Sequence, residues 1–223
     1  MELQIELGGE SVSALLQRPP DAWLLYVLAH GAGAGMRHSF LESISAALAA
    51  RGVATMRYQF PYMEAGGRRP DSPATAEATV RAAVSKAVEV APDLPVIAGG
   101  KSFGGRMTSG AAASSLPGVR GLAFLGFPLH PPGRPGTRRA DHLVRVELPM
   151  LFLQGTRDQF AQTDLINGVC QRLGVLATLH PIDGGDHSFG VPKSSGRTAA
   201  AVLDELADTL VQWARYRVLR DPR

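Results

Sequence analysis

Short apolar runs alternate with amphipathic stretches from one end of the chain to the other. Runs at about 3–7, 12–17, 23–29, 53–58, 94–99, 120–126, 149–154 and 175–181 read as β-strands. The stretches at about 39–51, 73–90, 103–115, 160–173 and 197–217 carry helical spacing instead. After the first two strands the two kinds of segment alternate in the βαβ manner. That order predicts an α/β fold with a mostly parallel sheet of about seven or eight strands and helices on both faces. Residues 23–29 are almost wholly apolar, as a central strand covered on both sides requires. The run Pro95 to Ala98 meets Gly99 and Gly100, which predicts a sharp end to that strand. Ser72 before Pro73 gives the 73–90 helix an N-cap and a proline at its first position. Two segments read as loops, 61–72 and 128–147, the second carrying Pro128, Pro131, Pro132 and Pro135. Both are long for connections in a compact domain, and such loops tend to be functional.

Composition bounds the function without specifying it. The chain has 223 residues, 45% of them hydrophobic, which suits a single globular domain over 1–223. Its 23 Lys+Arg against 20 Asp+Glu leave a net charge of only +3. Basic residues gather at Arg68 and Arg69, at Arg134, Arg138 and Arg139, and at Arg215, Arg217, Arg220 and Arg223, the last set expected on a solvated C-terminal helix. None of these groups has interleaved aromatics or a zinc, helix-turn-helix or ribonucleoprotein pattern, so a nucleic-acid partner is not expected. Cys170 has no second cysteine to pair with, which suits a reducing compartment. The first ten residues lack a basic and then apolar leader pattern, and the longest apolar run, 22–29, is far short of the ~20 residues a membrane helix needs. A cytoplasmic protein with no membrane partner is expected.

The chemistry lies in four short motifs. Gly100-Lys101-Ser102-Phe103-Gly104 is G-x-S-x-G, set between a predicted strand and a predicted helix. A nucleophile elbow needs small residues around its serine, because the turn is strained and strand and helix approach closely. Gly99, Gly100, Gly104 and Gly105 bracket Ser102 in that way. Some other glycine-rich βα turn is the alternative. A phosphate loop is excluded, since G-x-x-x-x-G-K-[ST] ending at Ser102 would require glycine where Pro95 stands. A dinucleotide fingerprint fails as well, because G-x-G-x-x-G would require glycine at Met36 or His38.

His30-Gly31-Ala32-Gly33 follows the apolar strand 23–29, where a hydrolase places its second oxyanion donor. The amides of Ala32 and Phe103 are the candidate pair, a flexible glycine turn being the other reading. Asp158 lies three residues beyond Gly155, on the loop after strand 149–154. An isolated loop aspartate usually serves a turn, but the order serine, then aspartate, then histidine matches the α/β-hydrolase triad. Among six histidines, only His187 lies after the last strand, before the last helix and on a glycine-rich loop. Ser102 is thus the candidate nucleophile, His187 the base and Asp158 the orienting acid, with Asp186 the rival carboxylate.

The segments HGAGAGMRHSF, RYQFPYMEAGGRRPD, GGKSFGGRM, GFPLHPPGRP, LFLQGTRD and DGGDHSFG, taken together and in order, resemble the α/β-hydrolases similar to dienelactone hydrolase. They span residues 30–190, about three quarters of the chain. Dienelactone hydrolases proper carry a cysteine nucleophile where this chain has Ser102, so their substrate does not carry over. The resemblance implies a serine hydrolase that cleaves an ester or related acyl bond of a small molecule through an acyl-enzyme, without cofactor or metal. A hydrolase-fold scaffold that binds partners without turnover is the alternative. A connection of about twenty residues between 128 and 147 is too short for a helical cap, which predicts an open site. Tyr58 to Tyr62 and Phe127 to Pro135 could wall that site or could equally be packing. No sequence feature specifies the acyl chain length or an oligomeric state.

Overall fold

The computed structural model describes residues 1–219, so Arg220 and Arg223 of the C-terminal basic group lie outside the described residues. Eight strands form one sheet in the order β1-β2-β4-β3-β5-β6-β7-β8. They are β1 (Glu2–Glu6), β2 (Ser11–Gln17), β3 (Leu24–Ala29), β4 (Val53–Tyr58), β5 (Val96–Lys101), β6 (Val119–Leu125), β7 (Met150–Gly155) and β8 (Ala177–Ile182). The pairs β1–β2 and β2–β4 are antiparallel, and every pair from β4 to β8 is parallel. This is the expected mostly parallel sheet, with a hairpin added at one edge. The helices are α1 (Ser39–Ala49), α2 (Pro61–Glu64), α3 (Pro73–Val90), α4 (Phe103–Ala112), α5 (Thr163–Leu173) and α6 (Ala199–Trp213). No large cap is inserted among the described residues.

The alternation of side chains along each strand divides the core in two. On β3, Leu24, Tyr26 and Leu28 join α1 and α6 on one face, through Leu41, Ile44, Val202, Leu206 and Trp213. Leu25, Val27 and Ala29 join the other face, with Val80 and Val84 of α3, Met107 of α4 and Ile166 of α5. Strand β7 divides likewise, Leu151 and Leu153 going one way and Met150 and Phe152 the other. Each Val, Leu, Ile, Phe or Met among them, fully buried, contributes about 1.5–3 kcal/mol. A strand apolar at every position is therefore what a doubly covered sheet demands, and one polar substitution on β3 would leave a group without a partner inside either layer.

Three local expectations need correction. Strand β5 does not stop at Gly99 but continues to Lys101, with Gly99 opposite Ala123 and Lys101 opposite Leu125. Ladders from β3 and β6 hold it on both sides, which outweighs the weak strand preference of glycine. The loop 61–72 holds the short helix α2, and the loop 128–147 holds a 3-10 stretch, Arg138–Arg145. Of the C-terminal arginines, Arg215 is exposed as expected, whereas Arg217 is partly buried. Beyond α6 the chain makes a short π-helical turn, Ala214–Val218, in which Arg215 lies 4.9 Å over the Trp23 ring and Arg217 donates to the Val175 carbonyl. The Ser72 cap forms as expected, its Oγ accepting from the Thr75 amide at 3.2 Å.

Candidate active site

The parallel strands β5, β7 and β8 deliver their C-terminal ends to one edge of the sheet, and the chemistry-bearing residues stand on the turns that follow. Ser102 follows β5 and caps α4 with φ 50° and ψ −113°. A side chain rarely adopts that conformation, and holding it costs about 1–3 kcal/mol, which the surrounding packing must supply. The packing is visible at Gly104, where a Cβ would sit 2.5 Å from the His30 carbonyl oxygen. Only glycine lets α4 lie this close to the end of β3. A second close approach occurs at Gly155, whose added Cβ would lie 2.3 Å from the Gly185 carbonyl oxygen. That contact presses the turn after β7 against the loop bearing His187.

The three turns meet in one hydrogen-bonded chain. Ser102 Oγ lies 2.8 Å from His187 Nε2, and His187 Nδ1 lies 2.7 Å from Asp158 Oδ2. A carboxylate only accepts, so Nδ1 carries the ring proton and Nε2 offers its lone pair to the Ser102 hydroxyl. Asp158 is buried, and two further donors hold it: Gln154 Nε2 at 2.6 Å to Oδ2 and the Phe160 amide at 2.8 Å to Oδ1. Gln154 is itself fixed, its Oε1 accepting from the Phe127 amide at 2.9 Å. Asp186 plays a different part. Its Oδ1 accepts from the Ser188 and Gly190 amides, both at 2.8 Å, and so shapes the histidine loop from within.

Lys101 ties the elbow to the same loop. Its Nζ donates to the His187 carbonyl at 2.5 Å and lies 5.3 Å from the Phe189 ring centroid. Burial pushes its pKa down to about 8, against the pull of the Asp158 and Asp186 charges. The Phe160 ring packs on His187 with centroids 4.2 Å apart. Neither Lys101, Gln154 nor Phe160 is marked by a sequence pattern. The signal available was position alone: Lys101 beside the serine, and Gln154 on the strand that ends in the acid.

The loop after β3 faces Ser102. His30 is fully buried, with Nδ1 2.7 Å from the Gly31 carbonyl and Nε2 accepting from the Phe60 amide at 3.1 Å. Nε2 is thus the bare nitrogen, and burial pushes the ring's pKa down to about 4, which keeps it neutral. In a trans peptide the carbonyl and the next N–H point in opposite directions. By bonding the Gly31 carbonyl, His30 therefore sets the direction of the Ala32 N–H. Two neighbouring amides are occupied, Gly33 by the Tyr62 hydroxyl at 2.8 Å and Ala34 by the Gly31 carbonyl at 3.2 Å. The Phe103 amide opens α4, where no preceding turn supplies a helical acceptor.

A cleft of about 300 Å³ lies over Ser102 and His187, lined also by Ala32, Phe40, Leu41 and Phe160. The segments Tyr58 to Tyr62 and Phe127 to Pro135 do not line it. Tyr58, Phe60 and Phe127 are fully buried, so the packing reading holds for them. A second hollow of about 430 Å³ between α1 and α6 shares Phe40 and Ser188 with the cleft and is mainly apolar. Of the other histidines, His38 caps α1 and also lines the cleft, whereas His180 bonds Glu205 at 2.8 Å and His142 bonds Ser109 at 2.7 Å. No cluster of metal-ligating side chains occurs among the described residues, and no described helix is long and apolar enough to cross a membrane.

Known proteins share this architecture. A dienelactone hydrolase from Anabaena variabilis superposes with a TM-score of 0.77 at 17% identity, over 98% of this chain and 97% of that one. An α/β serine hydrolase homologue from Coxiella burnetii gives 0.75 at 18% identity, over 95% and 96%. A serine hydrolase without a lid from Xanthomonas campestris gives 0.75 at 18% identity, over 100% and 96%. At such identities the likeness concerns the fold, and it agrees with the capless sheet described above. Residues 22–215 match the family described as alpha/beta hydrolase domain, and with the greater part of its length inside that match, this chain belongs to the α/β-hydrolase family.

Proposed function

We propose that this protein is a serine hydrolase that cleaves an ester or related acyl bond of a small molecule through an acyl-enzyme, the whole chain working as one domain. The observation that carries the reading is the unbroken run from Ser102 Oγ through the His187 ring to the buried Asp158. Ser102 is the nucleophile. As its Oγ attacks the acyl carbon, its proton passes to His187 Nε2, and Asp158 stabilises the imidazolium that results. The carbonyl oxygen becomes an oxyanion, which the Ala32 and Phe103 amides receive. His187 then returns the proton to the leaving group, and the acyl–Ser102 ester is hydrolysed by water that His187 activates in the same way.

Environment divides the labour. Three donors hold Asp158 as an acceptor, while the Ser102 hydroxyl faces the cleft. The oxyanion donors are backbone groups fixed before the reaction, which avoids reorganising solvent when charge develops. An oxyanion-hole donor of this kind is worth roughly 10²–10³ in kcat. The esterases and dienelactone hydrolases among structures of similar fold agree with acyl chemistry, as does the absence of a lid in one of them. Rapid-mixing kinetics with p-nitrophenyl acetate test the reading: a p-nitrophenol burst close to one equivalent is expected, and Ser102→Ala should abolish it. A wild-type protein giving neither burst nor turnover with short esters would count against the enzyme and for a scaffold of the same fold.

A further inference from the structure

The connection after β6 and the 3-10 stretch Arg138–Arg145 enclose a hollow of about 490 Å³ against α4. It shares no lining residue with the acyl cleft. Four guanidinium groups line it, those of Arg106, Arg134, Arg138 and Arg139, together with His130 and His142. Among the described residues six arginines pair with carboxylates, Arg18 with Asp93, Arg37 with Glu2, Arg51 with Asp204 and Asp208, Arg57 with Glu42, Arg81 with Glu77, and Arg197 with Glu205, while others such as Arg120, Arg157 and Arg172 stand singly without one; what marks the hollow is four arginines brought to one place. The four in the hollow form no ion pair among the described residues.

These cations also act against one another. Burial disfavours the charge on half-buried Arg106, and Arg139 repels it further, while Glu77 pulls the other way. His142 is held below its ordinary value by burial and then by Arg145 and Arg106, against Asp141. The wall is furnished besides with the buried His130 ring, whose Nδ1 is 2.9 Å from the Pro131 carbonyl and whose Nε2 has no hydrogen-bond partner among the described residues. Like charges gathered with only the more distant pull of Glu77 and Asp141 against them raise the energy of the empty site, and an anion relieves that repulsion on binding.

We propose that this hollow binds a phosphate-class oxyanion, the phosphoryl or pyrophosphoryl group of a small organic molecule. A single carboxylate would leave most of the positive charge uncompensated, whereas a phosphate offers up to two charges and three oxygens. The planar fork of arginine matches that geometry with paired hydrogen bonds. The volume exceeds that of one inorganic ion, so the organic remainder of the molecule also fits. The hollow borders the reaction centre: the Leu129 and His130 amides bond the Phe160 carbonyl, and the Phe160 ring packs on His187. The phosphate could therefore belong to the acyl substrate or to a separate molecule, and the test assigns it.

Calorimetric titration with sodium pyrophosphate at constant ionic strength reads binding directly and needs no turnover, so its result stands apart from the acyl-transfer reading. Saturable binding at one site is expected. Arg139→Gln should weaken it about tenfold, and so should Arg134→Gln, an exposed loop position whose replacement does not threaten the fold. Arg217→Gln, remote from the hollow, should leave it unchanged. Absence of saturation, or equal affinity in R134Q, R139Q and the wild type, would overturn the proposal. Acetyl-coenzyme A then assigns the source. A phosphate carried on the substrate makes its KM rise about tenfold in R139Q with kcat unaltered. A separate phosphate compound leaves that KM unaltered while the pyrophosphate Kd still rises.

Discussion

The cleft over Ser102, where acyl transfer is proposed, and the arginine hollow treat charge in opposite ways, although both adjoin α4. In the cleft the titratable groups of the hydrogen-bonded chain have partners: Asp158 takes three donors, and His187 is bonded at both nitrogens and at its carbonyl. In the hollow the arginines meet no carboxylate among the described residues, and His130 Nε2 meets no partner. A site that handles charge appearing only during a reaction must have its groups fixed in place beforehand, so that nothing reorganises when the oxyanion forms. A site that holds a permanently charged ligand is instead left short of counter-charge until the ligand arrives. Substitutions in the cleft should therefore act on rate, and those in the hollow on ligand affinity.

The sharpest way to break this contrast is at the nucleophile. Ser102→Ala should lower kcat for p-nitrophenyl acetate by about 10⁶-fold while pyrophosphate binding persists, the scale known for loss of a triad serine. Steady-state assay and titration of the same preparation check both halves. Next comes the acid. Asp158→Asn should lower kcat by about 10⁴-fold, because the amide favours the wrong histidine tautomer. Asp186→Asn should cost far less, since that carboxylate serves its own turn. A greater loss at Asp186 would reverse the assignment of the acid.

A smaller effect is expected at Lys101. Its ammonium fixes the His187 carbonyl, and a misplaced base of this kind costs roughly 10–10²-fold in kcat. With its pKa lowered to about 8, Lys101 is charged below that pH and neutral above it. The charge-assisted bond therefore weakens as pH rises through 8, and kcat/KM should decline there. Lys101→Met should show a lower plateau without this alkaline limb, measurable in a pH–rate profile. The smallest effect concerns acyl length. A lid would bury a long chain at about 0.8 kcal/mol per methylene, and no lid is present among the described residues. Acetyl and butyryl esters should be preferred to octanoyl and palmitoyl by kcat/KM. A steady rise toward palmitoyl would show that the apolar hollow beside Phe40 and Ser188 receives the chain.

Much of the cleft was legible in the sequence because its decisive parts are local. Ser102, Asp158 and His187 each stand on a short turn whose glycines and preceding strand are contiguous in the chain, and the triad order supplies the link between them. What was not legible depends on segments distant in sequence. The tether from Lys101 reaches across 86 residues to His187, and His30 reaches the Phe60 amide across 30. Apolar character could not tell cleft wall from core, so Phe60 and Phe127 read as either, while Phe40 and Phe160 went unremarked as lining. The continuation of β5 through Gly99 and Gly100 escaped for a similar reason, since its two ladders come from β3 and β6.

The nucleophilic serine is the central claim, and covalent labelling tests it most directly. Purified protein treated with a fluorophosphonate probe, digested and sequenced by tandem mass spectrometry, should carry a single adduct on the peptide holding Ser102. Labelling should reach about one equivalent, and Ser102→Ala should abolish it with circular dichroism unchanged. An unlabelled wild-type protein, or an adduct on another residue that survives in Ser102→Ala, would contradict the account.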